Sequence, residues 1–586
     1  MRQWMVAAKK ADFYVIAEKF HVDPVVARII RNREVIGEKN IRIYLGGNLS
    51  DLSDPHQMKD MDRLVEILAQ KIRKQVHIRI IGDYDVDGVT SSHLFLTALR
   101  RVGAKVDVVI PHRIQDGYGL SLHLLQQAKE DGVDTILTCD NGIAAIDEIA
   151  WAKAQKMTVL VTDHHAVPFE EHEGRRTEKK SLADAVVNPH QQDCGYPYKE
   201  LCGAGVAWNV IRVLYENYDI DKREAEDLLD FVAMATVCDV MSLTGENRIL
   251  VKEGLKRIRH TKNIGLQALM QACNVQPENI SAYHFGYVLG PCVNATGRLD
   301  TARHALRLFE TGQETEAEEI ARDLVDLNQE RKELTLQGVE MAKKLCEEGG
   351  YENDPVLVLF LPDVHESIAG LIAGRIREMY NRPVFVLTRG EEGVKGSGRS
   401  TENYSMYENM CGCAELFTKF GGHPMAAGLS LPEENVEKFR RKINENCPLT
   451  VEEVCPDIHI DMAMPVGYAS TELVHQFALL EPFGKDNPSP LFADRNLSIS
   501  RMWVIGKNRN VLRMSVLSEY GQPVPVIFFG DVETLFAYFT EKFGQKEVEN
   551  ALHGRKNRIL FSMVYTAKID FYQGNENLQL EMKYYR

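Results

Sequence analysis

From Val76 onward, short apolar runs alternate with longer stretches of helical pattern. The apolar runs include VHIRII, DTILTC and MTVLVT, and the stretches between them, such as SSHLFLTALRRVG, carry apolar residues at helical spacing. This alternation is typical of βαβ units, in which helices connect parallel strands. The sequence therefore predicts an α/β fold with a parallel sheet.

Acidic and histidine side chains follow three of the predicted strands. They are, in chain order, Asp83, Asp85, Asp87, Asp140, Asp163, His164 and His165. Asp239 comes later, after the apolar stretch LLDFVAMATVC. Ligands of open α/β sheets bind beyond the carboxyl ends of the strands, so we expect these side chains to converge on one site.

The density of charge in GDYDVDGVT indicates a bound cation. A single aspartate in such a place is more often a helix cap or part of a solvated turn. Two unit charges about 4 Å apart, however, repel by roughly 4 kcal/mol at an effective dielectric constant near 20. Carboxylates and histidine without a thiolate suit Mn²⁺ or Mg²⁺. A carboxylate shared by two ions would create a two-metal phosphoesterase centre.

Length and charge limit the classes of protein that this chain can represent. A chain of 586 residues suggests three or four domains. The net charge of −15 gives no basic footprint for nucleic acid over the whole chain. From Thr471 to the end, however, 14 Lys and Arg stand against 13 Asp and Glu, so the acidic excess lies in the earlier part.

Cysteine spacing and hydropathy indicate a cytoplasmic protein. The 11 cysteines are irregularly spaced, and the close pair Cys411 and Cys413 is not a CxxC zinc pattern. The N-terminus is interrupted by charge, and no run of 18 apolar residues occurs. We therefore expect a soluble protein that is not exported and has no membrane partner.

Further apolar and glycine-rich patterns follow this first region. The segment from Ala302 to Glu348 is charge-rich and helical, and a helix over 35 of its residues would span roughly 50 Å. A second α/β pattern begins at PVLVLFL. After about Thr450, strand-like segments such as VLRMSVL and VPVIFFG, with basic turns GKNRN and GRKNR, predict a small β-barrel.

The second α/β pattern contains a candidate phosphate pocket. Its motifs GSGRS and FGGHPMAAG contribute Ser397, Arg399, Ser400, Gly421, Gly422 and His423. The glycines could also serve only tight turns, but arginine beside exposed backbone N–H groups suits a phosphate. Arg298 in NATGRLD could hold a nucleic-acid backbone, or the motif could mark only the start of a helix.

The motifs DYDVDG, DNG, TDHH and CDV, in this order, resemble the four motifs of the DHH phosphoesterase superfamily. Other segments are similar to the RecJ family of bacterial single-strand-specific 5′→3′ exonucleases: NPHQQDCGYPYKELCGAGVAW, LTGENRILV, NATGRLD, HESIAGLIAGRI, GSGRS, FGGHPMAAG and LEPFGKDNPSPLF. The similarity extends from about residue 50 to past residue 510. Cys139 and Ser242 depart from the family pattern, but neither is at a ligand position.

The resemblance implies a two-lobed α/β phosphoesterase that ends in an OB-like β-barrel. The implied parts are an N-terminal helical segment (1–74), a DHH catalytic domain (75–301), a connecting helix (302–350), a DHHA1 domain (351–450) and an OB-fold domain (451–586). It implies degradation of single-stranded DNA to 5′-mononucleotides in DNA repair and recombination. Single-strand-binding protein and a RecQ-type helicase are the implied protein partners.

The resemblance also assigns roles to the site residues. Asp83, Asp85 and Asp140 would hold one ion, and Asp87, Asp140, His164 and Asp239 would hold the other. His165 would face the scissile phosphate, and Asp163 would orient the histidine pair. The implied substrate-binding residues are Arg298, His365, Ser397, Arg399, Ser400, Gly421, Gly422 and His423.

Two alternative functions remain open from the sequence. One is a DHH phosphodiesterase that acts on short oligonucleotides or cyclic dinucleotides, although such a substrate would not need a large C-terminal barrel. The other is an inactive replication scaffold, which would tolerate loss of the metal ligands. Every expected ligand is present, and this favours an enzyme.

Overall fold

The computed structural model describes residues 3–112, 116, 119–172, 175–390, 393–506, 509–572 and 574–586. They form two compact units. One unit is Asn48–Pro456, and the other combines the segment that ends at Gly47 with Asp457–Arg586.

The first sheet of the larger unit has five parallel strands, as predicted. Their order is Val106–Val109, Ile78–Ile81, Thr135–Cys139, Thr158–Thr162 and Ala185–Val187. Every residue of the second and third strands in this order is buried, which explains their continuous apolar sequences. Strand order reverses between these two strands, so the ligand crevice is expected beyond their carboxyl ends.

Helices precede, connect and follow these strands. They are Met61–Arg73, Val86–Arg101, Leu122–Glu130, Ile146–Ala154, Gly203–Asn217, Lys222–Glu226, Leu229–Cys238, Gly245–Ile258, Ile264–Ala272, Ala282–His284 and Gly290–Leu299, with a π-helical turn at Phe285–Leu289. Short 3₁₀ turns lie at Leu49–Asp51, Pro55–Gln57 and Pro277–Asn279. Strands Phe169–His172 and Arg175–Glu178 form a separate two-stranded antiparallel sheet.

The predicted helical connection between the lobes consists of two helices. Arg303–Glu310 comes first, and Glu314–Glu348 follows after a break that contains Gly312. The second helix has 35 residues and is therefore roughly 50 Å long, as expected. None of the helices in the described part of the chain combines the length and the apolar composition that crossing a membrane requires.

The second lobe of the larger unit contains a mixed five-stranded sheet. Its order is Lys419–His423, Ala426–Leu431, Gly393–Arg399, Val384–Gly390 and Leu357–Phe360. Only the last two strands in this order pair in parallel. The α-helices of this lobe are Ala369–Tyr380, Met406–Cys411 and Val436–Glu445, with 3₁₀ turns at Glu366–Ile368, Ala414–Leu416 and Glu433–Asn435.

The smaller unit contains the predicted β-barrel. Five of the six strands of its sheet form the barrel, in the spatial order Phe492–Ile505, Val511–Leu517, Pro523–Phe529, Asn575–Tyr585 and Leu560–Tyr572, and the short strand Met462–Ala463 pairs with the first of them. The barrel closes because the first strand pairs with both the second and the last. Helices Val532–Phe543 and Gln545–Leu552 connect the third strand to the last, while strand Met462–Ala463, helix Thr471–Gln476 and 3₁₀ turns Val466–Tyr468 and Phe477–Leu480 precede the barrel.

The predicted N-terminal segment, 1–74, is divided between the two units. Helices Phe13–Phe20, Pro24–Asn32 and Glu38–Gly46 belong to the barrel unit, whereas Met61–Arg73 belongs to the larger one. Strand Trp4–Val6 pairs with Ile458–Ile460. Arg33 forms an ion pair with Asp461 at 2.7 Å, and the Tyr44 hydroxyl donates a hydrogen bond to Asn487 Oδ1 at 2.8 Å. These polar contacts are mostly buried and tie the first helices to the barrel.

Candidate metal centre and substrate cleft

The loop after Ile78–Ile81 places the three alternating aspartates. Asp85 caps helix Val86–Arg101, because its Oδ1 accepts a hydrogen bond from the Gly88 N–H at 3.0 Å. A side chain at Gly88 would overlap the backbone of Asp83, so the turn requires glycine. Asp83 and Asp87 are buried and Asp85 is partly buried. The loop therefore holds three carboxylates close together with little solvent.

Asp140 lies at the end of the neighbouring strand, Thr135–Cys139. Its φ of +60° is in the left-handed region, which aspartate tolerates better than most residues. The next side chain, Asn141, donates hydrogen bonds to the carbonyl oxygens of Ile81 and Cys139, at 3.0 and 2.9 Å. This amide joins the ends of the two central strands and fixes Asp140 beside the acidic loop.

Asp163 organises the histidine pair at the end of Thr158–Thr162. Its carboxylate accepts hydrogen bonds from the N–H groups of Ile143, His164 and His165 at 2.7–3.1 Å. Its Oδ1 also lies 2.8 Å from Nδ1 of His165. This contact fixes the orientation of the His165 ring, whose side chain remains 40% exposed. Asp163 therefore contacts both histidines, and its predicted orienting role stays a prediction.

His164 lies among three carboxylates. Its Nε2 is 3.1 Å from Asp140 Oδ1, 3.6 Å from Asp239 Oδ2 and 3.7 Å from Asp87 Oδ2. The atom is buried and makes no hydrogen bond to any described residue. A buried nitrogen that is surrounded by carboxylate oxygens yet makes no hydrogen bond is the arrangement expected of a metal ligand.

Three groups of side chains bring ligand atoms within 4.8 Å of one another. They are Asp83 with Asp85 and Asp140, Asp87 with His164 and Asp239, and Asp140 with His164 and His165. The first two groups contain the members of the two predicted ligand sets. Asp140 belongs to the first group and also lies against His164 of the second. The six predicted ligands thus fall into two groups that are joined by the contact between Asp140 and His164.

The electrostatics of the centre fit a hard divalent cation. Burial, together with Asp87 and Asp85, raises the pKa of Asp140 well above its ordinary value, and burial and Asp87 raise the pKa of Asp85. A nearby cation would stabilise the charged carboxylates. Burial also raises the pKa of the neighbouring Cys139 thiol to about 12, and none of the three groups of ligand atoms found among the described residues contains a cysteine. Carboxylate oxygens and one imidazole remain, and these suit Mn²⁺ or Mg²⁺.

The first residues of helix Gly203–Asn217 contact two of the candidate ligands. The N–H groups of Gly203 and Ala204 donate to the two oxygens of Asp87, at 2.6 and 2.7 Å. A Cβ atom on Gly203 would lie 2.7 Å from Cβ of Asp140, closer than real contacts allow. Gly203 therefore positions two candidate ligands. This role was not predicted from the sequence, where its only signal is the motif GAGVAW.

A cleft of about 510 Å³ adjoins the acidic loop in the larger unit. Its walls include Tyr84 of that loop and four of the predicted substrate-binding residues: Arg298, Ser397, Arg399 and Gly421. Arg298 donates to the Ser367 carbonyl oxygen at 2.6 Å, and Arg399 donates to the Ser397 hydroxyl at 3.2 Å. Lys395 and Lys419 also line the cleft, and neither was predicted from the sequence.

The other predicted substrate-binding residues do not line this cleft. His365 is exposed, and its Nδ1 contacts the Ser367 hydroxyl at 2.7 Å. This contact stabilises the turn whose Ser367 carbonyl oxygen accepts the hydrogen bond from Arg298. Ser400 is buried and donates to the Tyr404 carbonyl oxygen at 2.6 Å, so its hydroxyl supports the chain after the strand. Gly422 and His423 are exposed at the end of strand Lys419–His423.

The barrel unit has a separate aromatic and basic surface. Trp503 and Arg513 pair across adjacent strands and line a cavity of about 400 Å³ together with Asp570 and Asn577. The Arg501 guanidinium lies 5.7 Å from the centre of the Trp503 ring. This surface offers a ring and positive charge, a combination typical of single-strand binding. Arg509 is exposed nearby in sequence, and Lys507 lies outside the described residues.

Family models match three parts of the chain. The model for the DHH family, N-terminal domain, matches residues 77–236, and the DHHA1 domain model matches residues 353–447. The model for the RecJ OB domain matches residues 460–584. These matches cover the acidic sheet, the second lobe and the barrel, and they confirm the predicted fold class.

Curated relatives match most of the chain. The protein named single-stranded-DNA-specific exonuclease RecJ from Haemophilus influenzae is 32% identical over 582 residues, which are 96% of this chain and 96% of that protein. The protein of the same name from Bacillus subtilis is 33% identical over 511 residues, or 86% of this chain, but the chain spans only 63% of that relative's length.

A solved structure has the same architecture. The crystal structure of RecJ in complex with Mn²⁺ from Thermus thermophilus superposes with a TM-score of 0.79 at 25% identity. The match covers all of this chain and 79% of that one. The Haemophilus influenzae relative is 32% identical over nearly all of this chain, and the solved structure matches the whole of it. The chain therefore belongs to the RecJ family.

Proposed function

We propose that this chain is a metal-dependent exonuclease that degrades single-stranded DNA from its 5′ end to 5′-mononucleotides. One observation carries the proposal: the acidic centre and the cleft share one loop. Asp83 and Asp85 of this loop belong to the centre, and Tyr84, which lies between them in the sequence, lines the cleft. A phosphodiester held by the basic wall of the cleft would therefore lie beside the carboxylates. The two relatives named single-stranded-DNA-specific exonuclease RecJ support a nuclease that acts on single-stranded DNA.

In this proposal the two predicted ligand sets hold two ions. Asp83, Asp85 and Asp140 would hold one, and Asp87, Asp140, His164 and Asp239 would hold the other, so Asp140 would serve both. When bound, the ions lower the pKa of water and neutralise charge on the phosphate. The buried Nε2 atom of His164 and the contact between this atom and Asp140 support the shared arrangement.

The chain's own side chains bind and orient the strand. Arg298 and Arg399 provide planar, charged donors for phosphate oxygens, and the Ser397 hydroxyl and the Arg399 guanidinium both lie against Gly370 in the same wall. His165, fixed by Asp163, stabilises the phosphoryl oxygens or donates a proton to the leaving 3′ oxygen. Its partly exposed ring can reach a substrate from the edge of the centre.

The setting of the reaction is proposed from the family alone. We infer that the enzyme acts in the cytoplasm, where single-strand-binding protein and a RecQ-type helicase would supply exposed strands.

Digestion of end-labelled DNA tests the proposed activity. With Mn²⁺, the 5′ label of a single strand should be released first as a mononucleotide, while blunt duplexes should persist. Chelator should abolish the activity, and Mn²⁺ or Mg²⁺ should restore it, because the carboxylate centre requires a cation. Release of a 3′ label first would refute the proposed polarity. Cleavage confined to dinucleotides would favour the alternative phosphodiesterase.

Substitution of the aromatic and basic residues on the barrel surface should lower the affinity for long single strands. Trp503→Ala combined with Arg513→Ala should lower the affinity for a 20-nucleotide strand roughly tenfold or more, since a stacked base contributes about 1–3 kcal/mol. The salt dependence of binding should also decrease. Turnover of a dinucleotide should stay near that of the wild type. The matched control, Trp503→Phe, retains an aromatic ring.

Point variants test the barrel better than truncation does. Removal of residues after 456 would expose the helices before Gly47, which pack with the barrel through contacts such as Arg33 with Asp461. An unchanged affinity in the double variant would show that the strand is held elsewhere.

A further inference from the structure

Two stacked tyrosines stand on the surface of the larger unit. The rings of Tyr283 and Tyr287 are 5.1 Å apart and inclined by 24°. Their exposed fractions are 62% and 71%. Rings of this size contribute most when they are buried, so a stacked and exposed pair suggests a surface that a ligand covers.

A π-helical turn presents the pair. The turn, Phe285–Leu289, begins and ends with fully buried side chains that pack on the core. Tyr283 and Tyr287 lie two residues before and two residues after Phe285, so they face away from that core. Single π-helical turns are uncommon and occur frequently at functional sites. Tyr287 lies within the π-helical turn and Tyr283 lies in the segment just before it, Ala282–His284, so both rings project outward while the helix remains anchored.

The π-helical turn packs against helix Leu229–Cys238, which ends directly before the candidate ligand Asp239. The carbonyl oxygen of Phe285 is 3.3 Å from the Cys238 thiol, and Cys238 directly precedes the candidate ligand Asp239. A side chain at Gly290 would overlap this thiol, so the two helices are in close contact. The tyrosines are therefore carried by an element that touches the edge of the centre.

The same helical run continues past the acidic loop to the cleft. In helix Gly290–Leu299, Asn294 accepts a hydrogen bond from the N–H of Val86 at 3.2 Å. Arg298, one turn later, lines the cleft. The run therefore presents exposed rings, a contact to the acidic loop and a cleft arginine in succession. A strand that follows this run would pass from the rings to the centre.

We propose that Tyr283 and Tyr287 form a stacking platform for unpaired nucleobases of the substrate strand as it enters the metal centre. This inference rests on the proposed function. Single strands expose the faces of their bases, and stacking on aromatic rings is tolerant of sequence, as a general exonuclease requires. Base-paired DNA would offer no free base face, so the platform would also contribute to selection of single strands.

Binding of strands with and without bases tests the platform. We expect Tyr283→Ala with Tyr287→Ala to lower the affinity for a 12-nucleotide oligothymidylate by about 5- to 150-fold, which corresponds to one stacked base. Affinity for an abasic strand of equal length should not change, because that strand has no base to stack. Binding is measured with the full chain in chelator, so that the DNA is not degraded.

Matched variants control for folding and for general loss of surface. Tyr283→Phe with Tyr287→Phe keeps both rings and should bind oligothymidylate like the wild type. Tyr14→Ala removes a tyrosine of similar exposure from the other unit and should also have no effect. Equal weakening toward both strands, or no weakening toward either, would overturn the inference.

Two further results distinguish failure of the platform from failure of the proposed function. If the wild type degrades labelled single strands but the double alanine variant matches it in binding, the platform fails and the proposed function stands. If the wild type degrades no single strand, the proposed function itself fails. A self-associated wild type that becomes monomeric in the alanine variant would show that a second copy of the chain covers the rings, contrary to our proposal.

Discussion

Asp140→Asn is expected to lose bound metal and turnover together. Asp140 is the carboxylate that lies with Asp83 and Asp85 and also against His164, so its loss would affect both proposed ions. Asparagine keeps the size of the side chain and tolerates the left-handed φ of +60°. Metal ions typically contribute several kcal/mol to transition-state stabilisation, so the rate should fall roughly 10³-fold or more.

The same variant should be no less stable than the wild type in chelator. Burial and the nearby carboxylates of Asp87 and Asp85 disfavour a charge at Asp140, and asparagine removes that charge. Bound Mn²⁺, single-turnover rate and the midpoint of thermal unfolding should be measured side by side. The control is Asp147→Ala, an exposed aspartate on helix Ile146–Ala154. A variant that binds Mn²⁺ normally would exclude Asp140 as the shared ligand.

His165→Ala should retain metal and strand binding but lose turnover by about 10²–10⁴-fold, the usual loss for a group that stabilises or protonates the reacting atoms. The reason is geometric: Nδ1 of His165 is held by Asp163 at 2.8 Å and lies 4.0 Å from the nearest oxygen of Asp140. His164 has the closer approach to the carboxylates. The expected effect is therefore on the rate and not on metal content.

The metal content of the variant decides between two roles that the geometry allows for His165, a catalytic group or a metal ligand. Because Asp140, His164 and His165 also form a compact group, loss of an ion in His165→Ala would identify this histidine as a ligand. Full retention of the single-turnover rate would exclude a catalytic role. His123→Ala, at an exposed histidine on helix Leu122–Glu130, is the matched control.

Most of the candidate ligands could be predicted because they follow the ends of buried strands, whereas Asp239 follows helix Leu229–Cys238. The apolar runs before Asp83, Asp140 and Asp163 have clear boundaries, and parallel strands bring their carboxyl ends to one edge. Strand alternation also explains the cleft. Lys395, Ser397 and Arg399 share one face of strand Gly393–Arg399, whereas Ser400 follows its end and turns inward.

Contacts between distant parts of the chain could not be predicted in this way. Asp87 is held by Gly203 and Ala204, more than a hundred residues later, and no local pattern in either segment reports the other. The N-terminal helices likewise pack with a barrel that begins some 450 residues later in the chain. Strand Asn575–Tyr585 carries mixed polar residues without a clear apolar run, so it was not predicted.

The backbone bonds to Asp87 and Asp163 bear on the entropy of metal binding. The first carboxylate accepts two backbone N–H bonds and the second accepts three. Their rotamers are therefore fixed when the chain folds, and the loss of side-chain freedom is part of the free energy of folding. Asp87 is thus preorganised for a cation and Asp163 preorganises the two histidines, so most of the remaining adjustment falls to the more exposed Asp239.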